Sequence, residues 1–93
     1  MQVDILTPDT ALFSGEASVV SLPGVNGSFQ ILNNHAPIVS ILGKGLVKIT
    51  SPRIILEKEA TAKFLKINDQ NFTLAITSGT IEMKDNKVIV LVD

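Results

Sequence analysis

The sequence predicts an all-β protein, a two-sheet β-sandwich of about ten short strands. Three observations carry that expectation. Apolar runs of a few residues recur along the chain and are separated by turn residues. Several runs are apolar on both faces, most clearly the Val-Ile-Val-Leu-Val core of 87–92, as expected of strands inside a layered structure. So many strands in 93 residues leave little room for helices, and two packed sheets let every strand bury one face.

The elements follow in order. Residues 3–6 form a first strand, stopped by Thr7-Pro8-Asp9. Ala11 to Phe13 make a short second piece that ends at Ser14-Gly15. Residues 17–22 form a third strand. It is predicted to stop at Pro23-Gly24, because proline presets φ at the first central position of a type II turn and glycine accepts positive φ at the second. Residues 28–32 alternate, with Phe29 and Ile31 on one face and Ser28, Gln30 and Leu32 on the other. Residues 38–42 and 46–50 flank Gly43-Lys44-Gly45, which reads as a hairpin turn. Later strands are expected at 53–57, 72–77, 80–83 and 87–92, with Asp85-Asn86 turning the chain before the last. Residues 57–66 fit two states equally. They are good helix formers, with a Glu59–Lys63 pair at i, i+4, but their second half also reads as a strand.

A chain of this length is expected to form a single domain over 1–93. Folding at this size hides roughly 60–65% of the unfolded surface, so one core suffices. The 45% apolar content supplies that core without disulfides, since there is no cysteine. The net charge of −1 comes from interspersed residues. No basic stripe of the kind that displaces counterions from nucleic acid is visible, and no nucleic-acid partner is expected. Four phenylalanines without Trp or Tyr make a poor base-stacking platform. No run approaches the ~20 apolar residues of a membrane span. The N-terminus has no signal-peptide order.

The search for chemistry finds little. One histidine and no cysteine do not make a transition-metal site, and no calcium-loop pattern exists. Ser14-Gly15 and Ser78-Gly79 are turns rather than a nucleophile elbow. Gly43-Lys44-Gly45 lacks the spacing of a phosphate loop. The carboxylates are scattered, so catalytic residues, cofactors and metals are all expected to be none. His35 is the remaining candidate. It reads either as a turn histidine, between Asn33-Asn34 and Pro37, or as the base of a small hydrolase, and the lack of partners favours the turn. A small-ligand-binding sandwich is a further alternative.

The stretch LPGVNGSFQILNNHAPIVSILGKGLVKI resembles the epsilon subunit family of F-type ATP synthase. Its P-G-x-x-G-x-F and L-x-N-H-A-P elements stand at the family's spacing, followed by an apolar strand and a glycine turn. VDILTPDTALFSGEA and TSGTIEMKDNKVIVLVD resemble the opening and closing pieces. The resemblance covers about three quarters of the chain.

That resemblance implies a β-sandwich acting as a non-catalytic central-stalk rotor subunit. It would bind the gamma subunit and the ring of c subunits, couple proton- or sodium-driven rotation to ATP synthesis, and sit peripherally on the cytoplasmic face of the membrane. Carried over by position, Thr7, His35 and Ser40 are gamma candidates, and Asn26, Gly27 and Ser28 are c-ring candidates. Departures are visible. Many relatives carry an acidic residue where Ser28 stands. The family's S-G-G turn falls on Thr77-Ser78-Gly79 and lacks one glycine. Residues 51–69 exceed the usual hairpin. The sequence ends at Asp93, without the family's C-terminal helical pair, so neither inhibition of ATP hydrolysis nor nucleotide binding is expected. Mean hydropathy of +0.36 suits either a Val/Ile/Leu-rich β core or apolar surface reserved for a partner.

Overall fold

The computed structural model describes residues 1–52, 64–68 and 70–93. They form ten strands: β1 (Gln2–Leu6), β2 (Ala11–Glu16), β3 (Val19–Gly24), β4 (Gly27–Leu32), β5 (Ile38–Leu42), β6 (Gly45–Thr50), β7 (Phe64–Asn68), β8 (Asn71–Ile76), β9 (Gly79–Lys84) and β10 (Lys87–Val92). The strand expected at 53–57 lies outside the described residues. So does most of the 57–66 segment, whose described end is extended in β7 rather than helical.

Hydrogen bonds join the strands in the order β2-β1-β10-β9-β5-β3-β6-β8-β7, with β4 on the other edge of β3. The link between β5 and β3 is a single pair, Gly24 with Leu42. The path therefore folds over at that point into two five-stranded layers. The first is β2-β1-β10-β9-β5 and the second is β4-β3-β6-β8-β7. β1 and β10, the two chain ends, pair in parallel, and the other pairings are antiparallel.

Alternation along each strand fills the space between the layers. The first layer contributes Val3, Ile5, Leu42, Ile81, Met83, Val88 and Val90, all at 1% exposure or less. The second contributes Val20, Leu22, Ile31, Val47 and Ile49 at the same level. Each such side chain is worth about 1.5–3 kcal/mol when taken from water. Phe64 and Phe72 meet edge to face at 6.4 Å and extend the core under β7 and β8.

Two turn expectations are corrected. Pro23 and Gly24 do not form the turn but end β3, and the hairpin is the next pair, Val25-Asn26, closing Gly24 against Gly27. Glycine is needed at 24 for space rather than for positive φ, since an added Cβ would stand 2.7 Å from the Gly27 carbonyl oxygen. Nor is Gly43-Lys44-Gly45 a hairpin between paired strands. β5 pairs with β9 and β6 with β8, so these residues form a corner that carries the chain from one layer to the other. The Gly43 N–H donates to the Pro23 carbonyl at 2.8 Å, and Val25 N–H to Ile41 at 3.3 Å, stitching the corner to the β3–β4 tip. The Asp85-Asn86 turn is as expected. Both residues have positive φ, 53° and 59°, which matches the right-handed twist of the β9–β10 hairpin.

Candidate interaction surfaces

The outward side of the first layer can be read row by row from its register. Ile41 lies opposite Thr80, Thr80 opposite Leu91, Leu91 beside Leu6, and Leu6 opposite Ala11. The next row runs Val39, Glu82, Ile89, Asp4 and Ser14. A third runs Lys84, Lys87, Gln2 and Glu16. The face thus grades from apolar at one end of the sandwich to charged at the other. Val39, Ile41 and Leu91 are 77%, 64% and 50% exposed. Ile89, beside Leu91 on β10, and Leu6, beyond it on β1, are half-buried. Thr80 and Glu82 of β9 stand between the β5 and β10 residues, so the apolar side chains form two groups, Val39 with Ile41 and Ile89 with Leu91 and Leu6, about two strand spacings apart.

The polar part of this face is tied down. Ser14 Oγ donates to Asp4 Oδ1 at 2.7 Å, and Gln2 Nε2 to the same oxygen at 3.1 Å. Lys87 Nζ stands 3.8 Å from Asp4 Oδ2. The Ser14 hydrogen bond, helped by Gln2 and Lys87 and opposed by partial burial, holds the Asp4 carboxyl below its ordinary range. A shallow depression of about 280 Å³ lies alongside, lined by Glu82, Lys84, Asp85, Lys87 and Ile89.

The ends of the sandwich carry the candidates from sequence. Asn26, Gly27 and Ser28 are exposed together at the β3–β4 tip, beside Val25 at 58% exposure. Strand directions put the 7–10, 43–44 and 77–78 connections at that same end. Thr7 is therefore at the tip end. Its hydroxyl donates to the Thr10 carbonyl and accepts from the Thr10 N–H, both at 3.1 Å, closing the β1–β2 turn. His35 is exposed at the opposite end, just before β5. Its N–H donates to Leu32 at 3.1 Å, with Asn34 at φ 61° completing the turn. Its Nδ1–H donates to the Ala36 carbonyl at 2.7 Å, because a carbonyl can only accept. Ser40 is half-buried on the side of β5 that carries Leu42 inward.

The c-ring candidates are thus contiguous, whereas Thr7, His35 and Ser40 are spread over two ends and one edge strand. No group of three His, Asp or Glu side chains able to hold a metal occurs among the described residues. No helix among them is long and apolar enough to cross a membrane. The residues missed from sequence are those of the two apolar groups: Leu6, Val39, Ile41, Ile89 and Leu91. Their signal was present in the two-faced apolarity of 87–92, which reads as full burial. In fact β10 is central within its layer, but only one of its faces meets the core.

Fold and surface together define a β-sandwich domain with exposed apolar side chains on the outer side of its first layer. The family model described as the ATP synthase delta/epsilon chain, β-sandwich domain, matches residues 1–60. The chain belongs to this family. The ATP synthase epsilon chain of Chlorobaculum tepidum is 35% identical over 92 residues, covering 98% of this chain and 86% of the relative. That of Salinibacter ruber is 33% identical over 93 residues, covering all of this chain and 58% of the relative. A Leptospira interrogans epsilon chain is 32% identical, with 61% of its length covered. The chain thus spans about three fifths of several of the curated relatives it matches. Among solved structures, a chain in the cryo-EM structure of the Tetrahymena thermophila mitochondrial ATP synthase central stalk and c-ring superposes with a TM-score of 0.68. It is 22% identical, over 99% of this chain and 62% of that one, a likeness of fold.

Proposed function

We propose that this chain, as one β-sandwich domain over 1–93, is a non-catalytic rotor subunit of an F-type ATP synthase. It binds the gamma subunit and the c-ring on the cytoplasmic side of the membrane and transmits ion-driven rotation toward ATP synthesis. The observation that carries this reading is the set of apolar side chains Val39, Ile41, Leu91, Ile89 and Leu6 around Thr80 and Glu82 on the outer side of the first layer, on a chain whose relatives are epsilon chains. A close-packed sandwich resists compression, so torque entering at one surface leaves at another with little loss to deformation. An obligate interface combines apolar and polar contacts, and this face supplies an apolar end and a charged end.

On this reading gamma lies against the outer face of the first layer. Thr7 and His35 border that face at its two ends, and Ser40 sits on its edge strand. The β3–β4 tip, with Asn26, Gly27 and Ser28, meets the c-ring. The test is affinity capture of the tagged chain from membranes in mild detergent. Gamma and c subunits are expected to co-purify, and a Val39→Asp/Ile41→Asp double variant is expected to lose gamma while remaining folded. Capture without gamma, or a double variant that still retains it, overturns the assignment.

A further inference from the structure

We propose that Asn26 is a site of spontaneous side-chain deamidation, which converts the neutral β3–β4 tip into an anionic one. Six asparagines occur in the chain, and Asn26 is the only one followed by glycine. Conversion begins when the next residue's backbone nitrogen attacks the side-chain carbonyl carbon. A C–N bond closes a five-membered succinimide, the C–N bond to the carboxamide nitrogen breaks, and the proton lost from the backbone nitrogen is relayed through solvent to that departing nitrogen, which leaves as ammonia. Water then opens the ring at either carbonyl and leaves aspartate or isoaspartate. No oxidant or reductant is needed. The slow element is steric, because a side chain on the following residue obstructs the ring.

The structure removes that obstruction at one position. Gly27 has no side chain to obstruct the ring, and its φ of +124° is one that other residues rarely adopt. Both Asn26 and Gly27 are exposed to the water that completes the reaction. Among the described residues no hydrogen bond holds the Asn26 carboxamide. Others are held: Asn33 Oδ1 accepts from the Met1 amino group, Asn68 Oδ1 from Gln70 N–H and Asn71 Nδ2, Asn71 Oδ1 from Thr50, and Asn86 Oδ1 from Asn34 N–H.

The product matters because of where it stands. A carboxylate at 26 brings one negative charge to a tip whose neighbours Val25, Gly27 and Ser28 carry none. The isoaspartyl form also lengthens the main chain by one atom across the Gly24–Gly27 closure. Only the consequence, a changed contact with the c-ring, rests on the function proposed above.

The purified folded chain is incubated at mildly alkaline pH, and its peptides are followed by mass spectrometry and by isoaspartyl methyltransferase labelling. Residues 22–32 are expected to gain the mass of the amide-to-acid exchange, with isoaspartate the larger product, while the other five asparagines stay unchanged. Asn26→Gln, whose longer side chain closes a ring far more slowly, is expected to abolish the gain at unaltered thermal stability. If the folded chain stays amidated while a free peptide of residues 22–32 converts, the fold protects the site and the proposal fails. A gain that persists in Asn26→Gln also overturns it. Asn26→Asp, compared with wild type for retention on purified c-ring, tests the consequence separately. Equal retention removes the tip from the c-ring contact and leaves the deamidation standing.

Discussion

The two layers of the sandwich present similar faces to each other and different faces to water. Inward, both are lined by Val, Ile and Leu at near-zero exposure. Outward, the second layer is largely polar, with Ser21 beside Gln30 and Lys48, Lys48 beside Thr73, and Thr50 beside Asn71. Its exposed apolar residues are Leu32 on edge strand β4, Leu46 on interior strand β6, and Leu65 and Ile67 on edge strand β7. The first layer shows Val39 and Ile41 on β5 and Ile89 and Leu91 on interior strand β10, with Thr80 and Glu82 of β9 between the two pairs. A folding core needs only the inward faces. Both layers carry apolar residues beyond that requirement, and on the reading proposed above those of the first layer are the ones a partner covers.

The largest expected effects test the sameness of the inner faces. Ile5→Ala in the first layer and Ile49→Ala in the second each leave a cavity where the side chain is fully buried. Each should lower the free energy of unfolding by about 2–5 kcal/mol, read from urea melts. A cost well below that range for only one of them would mean that the core belongs mainly to the other layer.

Next comes the difference between the outer faces. Ile41→Asp should weaken gamma binding by about 2 kcal/mol or more, as for a central interface anchor. Its effect on folding should stay within roughly 0.5 kcal/mol, because the side chain is solvent-exposed in the free domain. Lys48→Asp on the second layer should leave gamma affinity unchanged. Titration calorimetry of both variants with gamma decides the matter, and equal losses would erase the proposed sidedness.

This sidedness also explains how much could be read in advance. Strand identity was legible almost throughout, because alternation and turn residues are local properties. The 28–32 alternation puts Phe29 and Ile31 inward as expected. Pairing was not legible, because it is non-local. Nothing in residues 2–6 announces a parallel partner at 87–91. The two turn errors have the same origin. Pro-Gly and Gly-Lys-Gly signal a change of direction, but only tertiary packing decides whether the chain reverses beside itself or crosses to the other layer. At the site, the adjacency of Asn26, Gly27 and Ser28 was available from sequence. The rows that align Ile41 with Leu91 and Leu6 needed the register of four strands.

The corner between layers offers a sharper test, since its two glycines differ. At Gly45 an added Cβ would stand 2.6 Å from Pro23 Cβ, whereas at Gly43 the nearest atom is at 3.7 Å, an ordinary contact. Gly45→Ala should therefore force β6 away from β3 and cost about 1–3 kcal/mol, as overpacking does. Gly43→Ala should change stability by less than about 0.5 kcal/mol. Thermal melts of the pair measure how tightly the layers are joined at the fold-over. Equal effects would mean that the corner is looser than its geometry indicates.

The smallest effect concerns the polar part of the first layer's outer face. The folded protein holds Asp4 below its ordinary range, chiefly through the Ser14 hydroxyl, so its carboxylate binds a proton less readily when folded than when unfolded. Stability from this group is then fully present above the ordinary aspartate range and is lost as pH falls through the lower folded value. Asp4→Asn should cost under about 1 kcal/mol at neutral pH, since the Lys87 contact is long and partly solvated. The wild type should lose its advantage only on the acid limb, so the two melting curves converge at low pH. A constant gap across the acid range would assign the Asp4 contribution to shape and hydrogen-bond geometry instead of charge. The polar part of this face would then be set by packing, like its apolar part.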